Sequence, residues 1–417
     1  MSPALVALLA LVVALAVSMT SRVNVGLLAI SLAWMVGVYV AALKPDVVIA
    51  GFPATLFITL AGVTLLFSIA GANGTLEILA WRAAGLVRGN AALIPLMFFA
   101  LAFLLSSIGP GAVASVALVA PLAMPTGRRA GVPNFVSAVM VGTGANAGNL
   151  SPVSSVGAMV NTLMASIGLP GHAGRVWAAN FVVHLLVALI AWAVFGGLKL
   201  LRSGTRVAVE TEGIRLERRH WITIVTIGVW MIAVVGWRMN VGLAAFTAAT
   251  VLLIARVADE GPAIRGIPLG IIFMVCGVTM LIAVLETTGG LALFTGLIAR
   301  LATPATLNGV IAFVTGIVST YSSTSGVVLP AFLPMVPGLV QQVGGGEPLA
   351  VAISINVGSA LVDVSPLSTL GALCLAAVPD PAEARVLFRQ LLIWGLSMAV
   401  VGALLCGIGA GIVARGG

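Results

Sequence analysis

The sequence predicts an all-α polytopic membrane protein made of two inverted repeats, with about ten spanning helices, two re-entrant helical hairpins and two broken helices. Three observations carry this prediction. The 417-residue chain is 60% apolar and 8% charged, with a mean hydropathy of +1.20, whereas soluble globules carry roughly a quarter charged residues. Apolar runs recur from end to end, each long enough for a hydrocarbon core of about 30 Å. They are continuous rather than alternating, which in lipid means helices, because only helices and closed barrels satisfy their backbones there. Finally, a polar, proline-bearing motif near position 150 is repeated near position 364.

Taken in order, the runs place spans at 3–20, 24–43, 50–70, 134–167, 176–198, 221–236, 241–257, 267–286, 348–378 and 388–412. The first has no basic stretch before it and reads as a retained span rather than a cleaved signal. Two further segments, 90–125 and 305–338, are interrupted by Ser106-Ser107-Ile108-Gly109-Pro110-Gly111 and by Ser319-Thr320-Tyr321-Ser322-Ser323-Thr324-Ser325-Gly326. Tips of that composition need polar partners at membrane depth, which only protein or water supplies, so each segment reads as a re-entrant hairpin. Two kinked spans are the plainer alternative, since Gly and Pro are common in transmembrane helices.

Basic residues should collect in short cytoplasmic loops. On this arrangement 15 of the 20 fall on one side, which puts both termini outside, in a bacterial-type inner membrane. The parity is the same if either hairpin is a pair of full spans. The linker 199–220, with five arginines, one lysine and three glutamates, is a solvated cytoplasmic loop between repeats 1–198 and 221–417. Topology therefore accounts for the net charge of +8, and no nucleic-acid partner is expected. Cys276, Cys374 and Cys406 lie singly in apolar runs without metal or disulfide spacing.

Asn149-Leu150-Ser151-Pro152-Val153-Ser154-Ser155-Val156-Gly157-Ala158 aligns with Asp363-Val364-Ser365-Pro366-Leu367-Ser368-Thr369-Leu370-Gly371-Ala372 at an offset of 214, and Gly144 aligns with Gly358. The hairpins align at an offset of 213, Pro110-Gly111-Ala112 with Ser323-Thr324-Ser325 and Pro121 with Pro334. Five crossings per repeat would turn the second copy upside down, and such repeats place a site at the midplane where discontinuous helices meet. In the first copy three glycines, Asn146, Asn149 and Ser151 stand where a lipid-facing helix would carry Leu or Val. Pro152 and Pro366 each remove a backbone donor, and the carbonyls freed are expected to face a cation. The restarting helix points amide donors and its positive dipole end at the same place, which suits a carboxylate. The second copy offers Asn356, Ser359, Asp363, Ser365, Ser368 and Thr369.

Asp363 is the one acidic residue deep in a predicted span. An ionisable group there costs at least about 2.5 kcal/mol on insertion scales, so a functional role, holding a proton or ligating sodium, is the default; a carboxyl bonded to a neighbouring hydroxyl for packing alone is the alternative. Glu77 and Glu286 read as solvated. His172, His184 and His220 are scattered and form neither a metal site nor a triad. No Walker lysine is present to drive pumping by ATP, and no His-Glu zinc motif or pair of intramembrane aspartates suggests an enzyme.

Hairpin, then broken span with a Gly-rich turn and a hydroxyl-Pro step, twice over, resembles the ion transporter superfamily that includes the divalent anion:sodium symporters. Within it, Met1 to about Asn149 resembles the malonate carrier (MatC-like) dicarboxylate permeases, through the tip Ser106–Gly111 and Gly144-Ala145-Asn146-Ala147-Gly148-Asn149. The resemblance implies a secondary carrier for a small dicarboxylate of the malonate or succinate type, coupled to Na+ or H+ and without another cofactor. It also implies a homodimer working as an elevator.

By this resemblance Ser151-Pro152 and Ser365-Pro366 take the hydroxyl-Pro places and Ser323-Thr324 the second tip. Each family tip carries Ser-Asn-Thr, whereas here the asparagine is missing from both, and Asn146, Asn149 and Asn356 are expected to supply the amides. The expected substrate groups are therefore Ser106, Ser107, Gly109, Pro110, Gly111, Asn146, Asn149, Ser151, Ser322, Ser323, Thr324, Ser325, Asn356 and Ser365. The expected coupling-ion groups are Gly144, Asn146, Gly358, Asp363 and Pro366. A monocarboxylate or another organic or inorganic anion would use the same groups. A channel is the less favoured alternative, since channels line one continuous pore.

Overall fold

A computed structural model describes residues 2–20, 23–76, 78–79, 82, 90–203, 216–237, 239–321, 323–378 and 380–415. The described residues are helical with no strand, as the apolar runs predict. Glu77, Ser322 and linker residues 204–215 lie outside them.

The first half holds α1 (Pro3–Thr20), α2 (Val25–Trp34, continued in wider turns to Val40) and α3 (Ala54–Ala72). It continues with α4 (Leu93–Ile108), α5 (Gly111–Arg129), α6 (Asn134–Gly148), α7 (Ser155–Ser166) and α8 (Ala173–Trp192). The second half repeats the order with α9 (Arg218–Gly236), α10 (Val241–Ile254), α11 (Leu269–Thr287), α12 (Gly290–Ala299) and α13 (Leu307–Tyr321). It ends with α14 (Thr324–Val343), α15 (Pro348–Val362), α16 (Thr369–Ala376) and α17 (Pro381–Arg415). Local chemistry sets several starts. The Asn24 and Asn240 side-chain oxygens accept from Gly26 N and Leu243 N at 2.9 and 3.0 Å, satisfying first-turn donors.

Every predicted span contains a helix, but their lengths are uneven. Among the described residues Ala54–Ala72, Ala173–Arg202, Thr324–Val343 and Pro381–Arg415 suffice by length and apolarity alone to cross a membrane. Leu93–Ile108, Leu307–Thr320 and Pro348–Val362 are shorter apolar helices. The second hairpin arm, expected to end near 338, runs to Val343. It loosens into wider turns at Thr324–Val328 and tightens at Leu333–Met335, around prolines that cannot donate to the preceding turn. The α12 helix leaves α11 at a bend of 89°.

Helix pairing between the halves is reciprocal. The α2 helix packs on α11 and α3 on α10, each pair through facing glycines. A methyl carbon on Gly277 would sit 2.1 Å from Gly26 O, and one on Gly62 would sit 2.4 Å from Gly242 O. Close backbone approach of this kind supplies the van der Waals contact that holds helices together in lipid, where apolar burial against neighbours gains little. The hairpin and broken helix of each half also pack alike. Gly144 of α6 meets the Phe99 backbone of α4, and Gly358 of α15 meets the Ala312 backbone of α13.

Candidate functional site

The two breaks have the same local construction. After α6, Ser151 N donates to Gly148 O at 3.0 Å and Ser154 N to Ser151 O at 2.9 Å; after α15, Ser365 N donates to Val362 O at 2.9 Å and Ser368 N to Ser365 O at 3.0 Å. The Ser154 hydroxyl is shared between Asn149 O, at 2.5 Å, and Ser151 O, at 2.9 Å. Its counterpart Ser368 is shared between Asp363 O and Ser365 O. Ser154 also accepts from Gly157 N, capping α7. Several of the carbonyls expected to face a cation thus already accept at least one hydrogen bond. The chain gives these freed acceptors at least one internal partner each, as buried backbone groups require.

Tip and break are tied together in the first half. Ala112 N donates to the Asn149 side-chain oxygen at 2.9 Å, and Ser155 N donates to Gly109 O at 3.0 Å. Because a backbone N–H only donates, the atom facing it must be Asn149 Oδ1, which leaves Nδ2 as the group free to donate elsewhere. Gly111 turns the chain with φ +78°, and a methyl carbon there would lie 2.9 Å from the Ser155 hydroxyl. At Gly109 a methyl carbon would fall 1.7 Å from the Phe67 ring, so Gly is the only residue that seats this tip against α3. Gly109→Ala is expected to lower the detergent melting temperature, an overpacking cost of about 1–3 kcal/mol. In a double-mutant cycle with Phe67→Ala the two losses should fall short of additive; strict additivity would show that the ring is not what excludes a side chain.

The second tip is held by hydroxyls. Ser323 Oγ accepts from Gly326 N at 3.0 Å, the Thr324 and Ser319 hydroxyls meet at 2.5 Å, and Thr324 reaches Ser359 O at 3.4 Å. The Thr324 and Ser368 hydroxyls also lie near the Asp363 carboxyl.

A cavity of about 490 Å³ joins these parts. The first tip enters it through Pro110, Gly111 and Ala112, the first break through Asn149 and Ser155, the second tip through Ser325 and the second break through Asp363. Helices α3 and α11 close the remaining wall. The breaks themselves touch: Asn146 Nδ2 donates to Ala360 O at 2.9 Å, and Gly142 lies against the Val364 side chain. The first half contributes the N-termini of α5 and α7, where the helix dipole is positive, and the second half contributes the only acid among the lining residues. No Lys, Arg or His lines the cavity among the described residues.

Of the expected site residues that the structure describes, Pro110, Gly111, Asn149, Ser325 and Asp363 reach the cavity, and the others do not line it. Ser107 donates to Phe103 O at 2.7 Å, Ser106 is buried behind the tip, and Asn356 Nδ2 bonds Ala352 O of its own helix at 2.8 Å. Ser151 and Ser365 are buried within their breaks, beside Pro366. Gly144 and Gly358 lie at helix crossings. Ser322 is outside the described residues. Ser155 was not expected at the site, although its place inside the repeated motif, opposite Thr369, was the available signal.

Two more polar groups emerge behind the first break. Asn180 Nδ2 donates to Asn146 O at 2.7 Å, and His184 Nδ1 lies 2.8 Å from Asn180 O, all fully buried. They brace α6 against α8, and no sequence signal singled them out. Among the described residues no cluster of His, Cys, Asp or Glu could hold a metal ion.

Broken helices, paired hairpins and a shared polar cavity define an all-helical fold of the multi-pass membrane class. The fold is similar to that in "Crystal structure of the Alcanivorax borkumensis YdaH transporter reveals an unusual topology", with a TM-score of 0.58 over 88% of this chain and 87% of that one, at 15% identity. Residues 1–149 match the family model described as "Dicarboxylate carrier protein MatC N-terminus", the stretch over which the sequence resembles those permeases. No curated protein sequence matches the chain.

Proposed function

We propose that the protein is a secondary carrier that moves a small dicarboxylate across the membrane together with Na+ or H+. The observation that carries this reading is the single cavity shared by both tips and both breaks, with donor groups from the first half and Asp363 from the second. The match of residues 1–149 to a dicarboxylate carrier model supports the substrate class.

Asn149 Nδ2 and the Ser155 hydroxyl are the donors for a carboxylate at the first tip, with the positive ends of α5 and α7 behind them. Ser325 reaches the substrate from the second tip. Asp363 is the coupling group: while ionised it repels an incoming dianion across a low-dielectric cavity, and a bound proton or cation beside the Thr324 hydroxyl removes that repulsion. Substrate and ion therefore load together. The two halves are inverted relative to one another, the segments around α4–α5 and α13–α14 are re-entrant, and both termini lie outside. Reciprocal pairing of α2 with α11 and α3 with α10 supports the inversion. The tips and breaks move as an elevator within a homodimer, exposing the cavity to alternate sides.

Counterflow in proteoliposomes tests the reading. Vesicles loaded with unlabelled malonate or succinate should accumulate external labelled substrate transiently without net flux or chemical change. Conductive, non-saturating flux would instead mean a channel.

A further inference from the structure

We infer that the cargo is a dicarboxylate with both carboxylates at one end and an apolar body at the other, such as a malonate carrying an alkyl or aryl substituent. This inference rests on the carrier reading above and specifies its substrate.

The cavity's polar groups are unevenly distributed. Asn149, Ser155, Ser325 and Asp363 belong to the tips and breaks, whereas the wall given by α3 and α11 includes Leu60, Phe67, Ile272 and Val275. Thr64 and Ser68, the polar α3 residues in the wall, already donate their hydroxyls to Leu60 O and Ala263 O, each at 2.7 Å. An acid with carboxylates at opposite ends would press one of them against this apolar surface without a donor, and an unpaired charge in such a place is strongly disfavoured. Both charges must sit at the polar end.

Size points the same way. Cavities of about 300–1,000 Å³ hold drug-sized ligands, and this one, at about 490 Å³, is far larger than bare malonate needs. Small side chains keep the apolar lobe open: Ala114 and Ala117 of α5 line it and are exposed to it. Each methylene that a substituent buries there should tighten binding about three- to fourfold.

The test uses the full chain in proteoliposomes loaded in turn with unlabelled malonate, butylmalonate or benzylmalonate, with labelled malonate outside. Butylmalonate should half-maximally inhibit labelled malonate entry at a concentration at least tenfold below that of malonate, and from inside it should drive exchange. Ala117→Phe, and separately Ala114→Phe, should bring the butylmalonate-to-malonate ratio towards one. Equal or weaker inhibition by the substituted acids overturns the inference and leaves the carrier reading intact. Inhibition from outside without exchange from inside also overturns it, because the lobe would then hold a blocker and not cargo. Absence of exchange with every acid would remove the carrier reading, and this inference with it.

Discussion

Asn149→Asp is expected to raise the half-saturating concentration for dicarboxylate counterflow by roughly 100-fold while leaving the fold intact. The carboxylate that replaces the amide can still accept from Ala112 N, now at 2.9 Å from Asn149 Oδ1, so the tie between tip and break survives. The substrate, however, loses its Nδ2 donor and meets a new negative charge. A hydrogen bond to a charged group contributes about 1.5–3 kcal/mol, and like-charge repulsion in a partly desolvated cavity adds to the loss. Together these approach about 3 kcal/mol, close to two decades in affinity. The measurement is concentration-dependent counterflow alongside thermal melting of the purified variant. Unchanged affinity at unchanged melting temperature would show that Asn149 does not hold the substrate.

The second large effect concerns Asp363. Asp363→Asn gives the second break the residue that the first already carries at the aligned position, so local folding should tolerate it. Exchange of labelled substrate should persist, because exchange needs no net ion movement. Uptake against a concentration gradient should be lost, with steady-state accumulation falling to equality across the membrane whether a Na+ or a H+ gradient is imposed. The sign follows from electrostatics: with no charge to neutralise at position 363, substrate loading no longer depends on an ion. Concentrative uptake driven as before by the same ion would end the coupling role. Loss of exchange as well would place Asp363 in substrate binding instead.

Much of this arrangement was legible from the residues because it rests on short-range physics. Continuous apolar runs must be helices in lipid, and Pro152 and Pro366 must interrupt them. Asp363 stood out because charge is costly at membrane depth. The repeat, too, was readable directly, and the two breaks it aligns share the bonds that Ser151, Ser154, Ser365 and Ser368 make to backbone carbonyls. The serines of the breaks were less legible: Ser154 and Ser368 each sit where a hydroxyl reaches back to two backbone carbonyls of the break, a contact that the residue type alone does not announce.

The sequence by itself determined the helical, membrane-spanning class, the positions of the breaks and tips, and the asymmetry between Asn149 and Asp363, because each follows from the composition of a few adjacent residues. Only the tertiary structure decided which hydroxyls and amides face the cavity. The contact between Asn149 and Ala112 spans 37 positions, that between Asn180 and Asn146 spans 34, and that between Asn146 and Ala360 spans 214. Such pairings depend on how helices cross and on which face each turns inward, set by close contacts such as Gly109 against Phe67 and Gly144 against Phe99. Ser107 and Asn356 have the same donor chemistry as Ser155 and Asn149, yet helix rotation turns them to backbone carbonyls and leaves the cavity to the other pair.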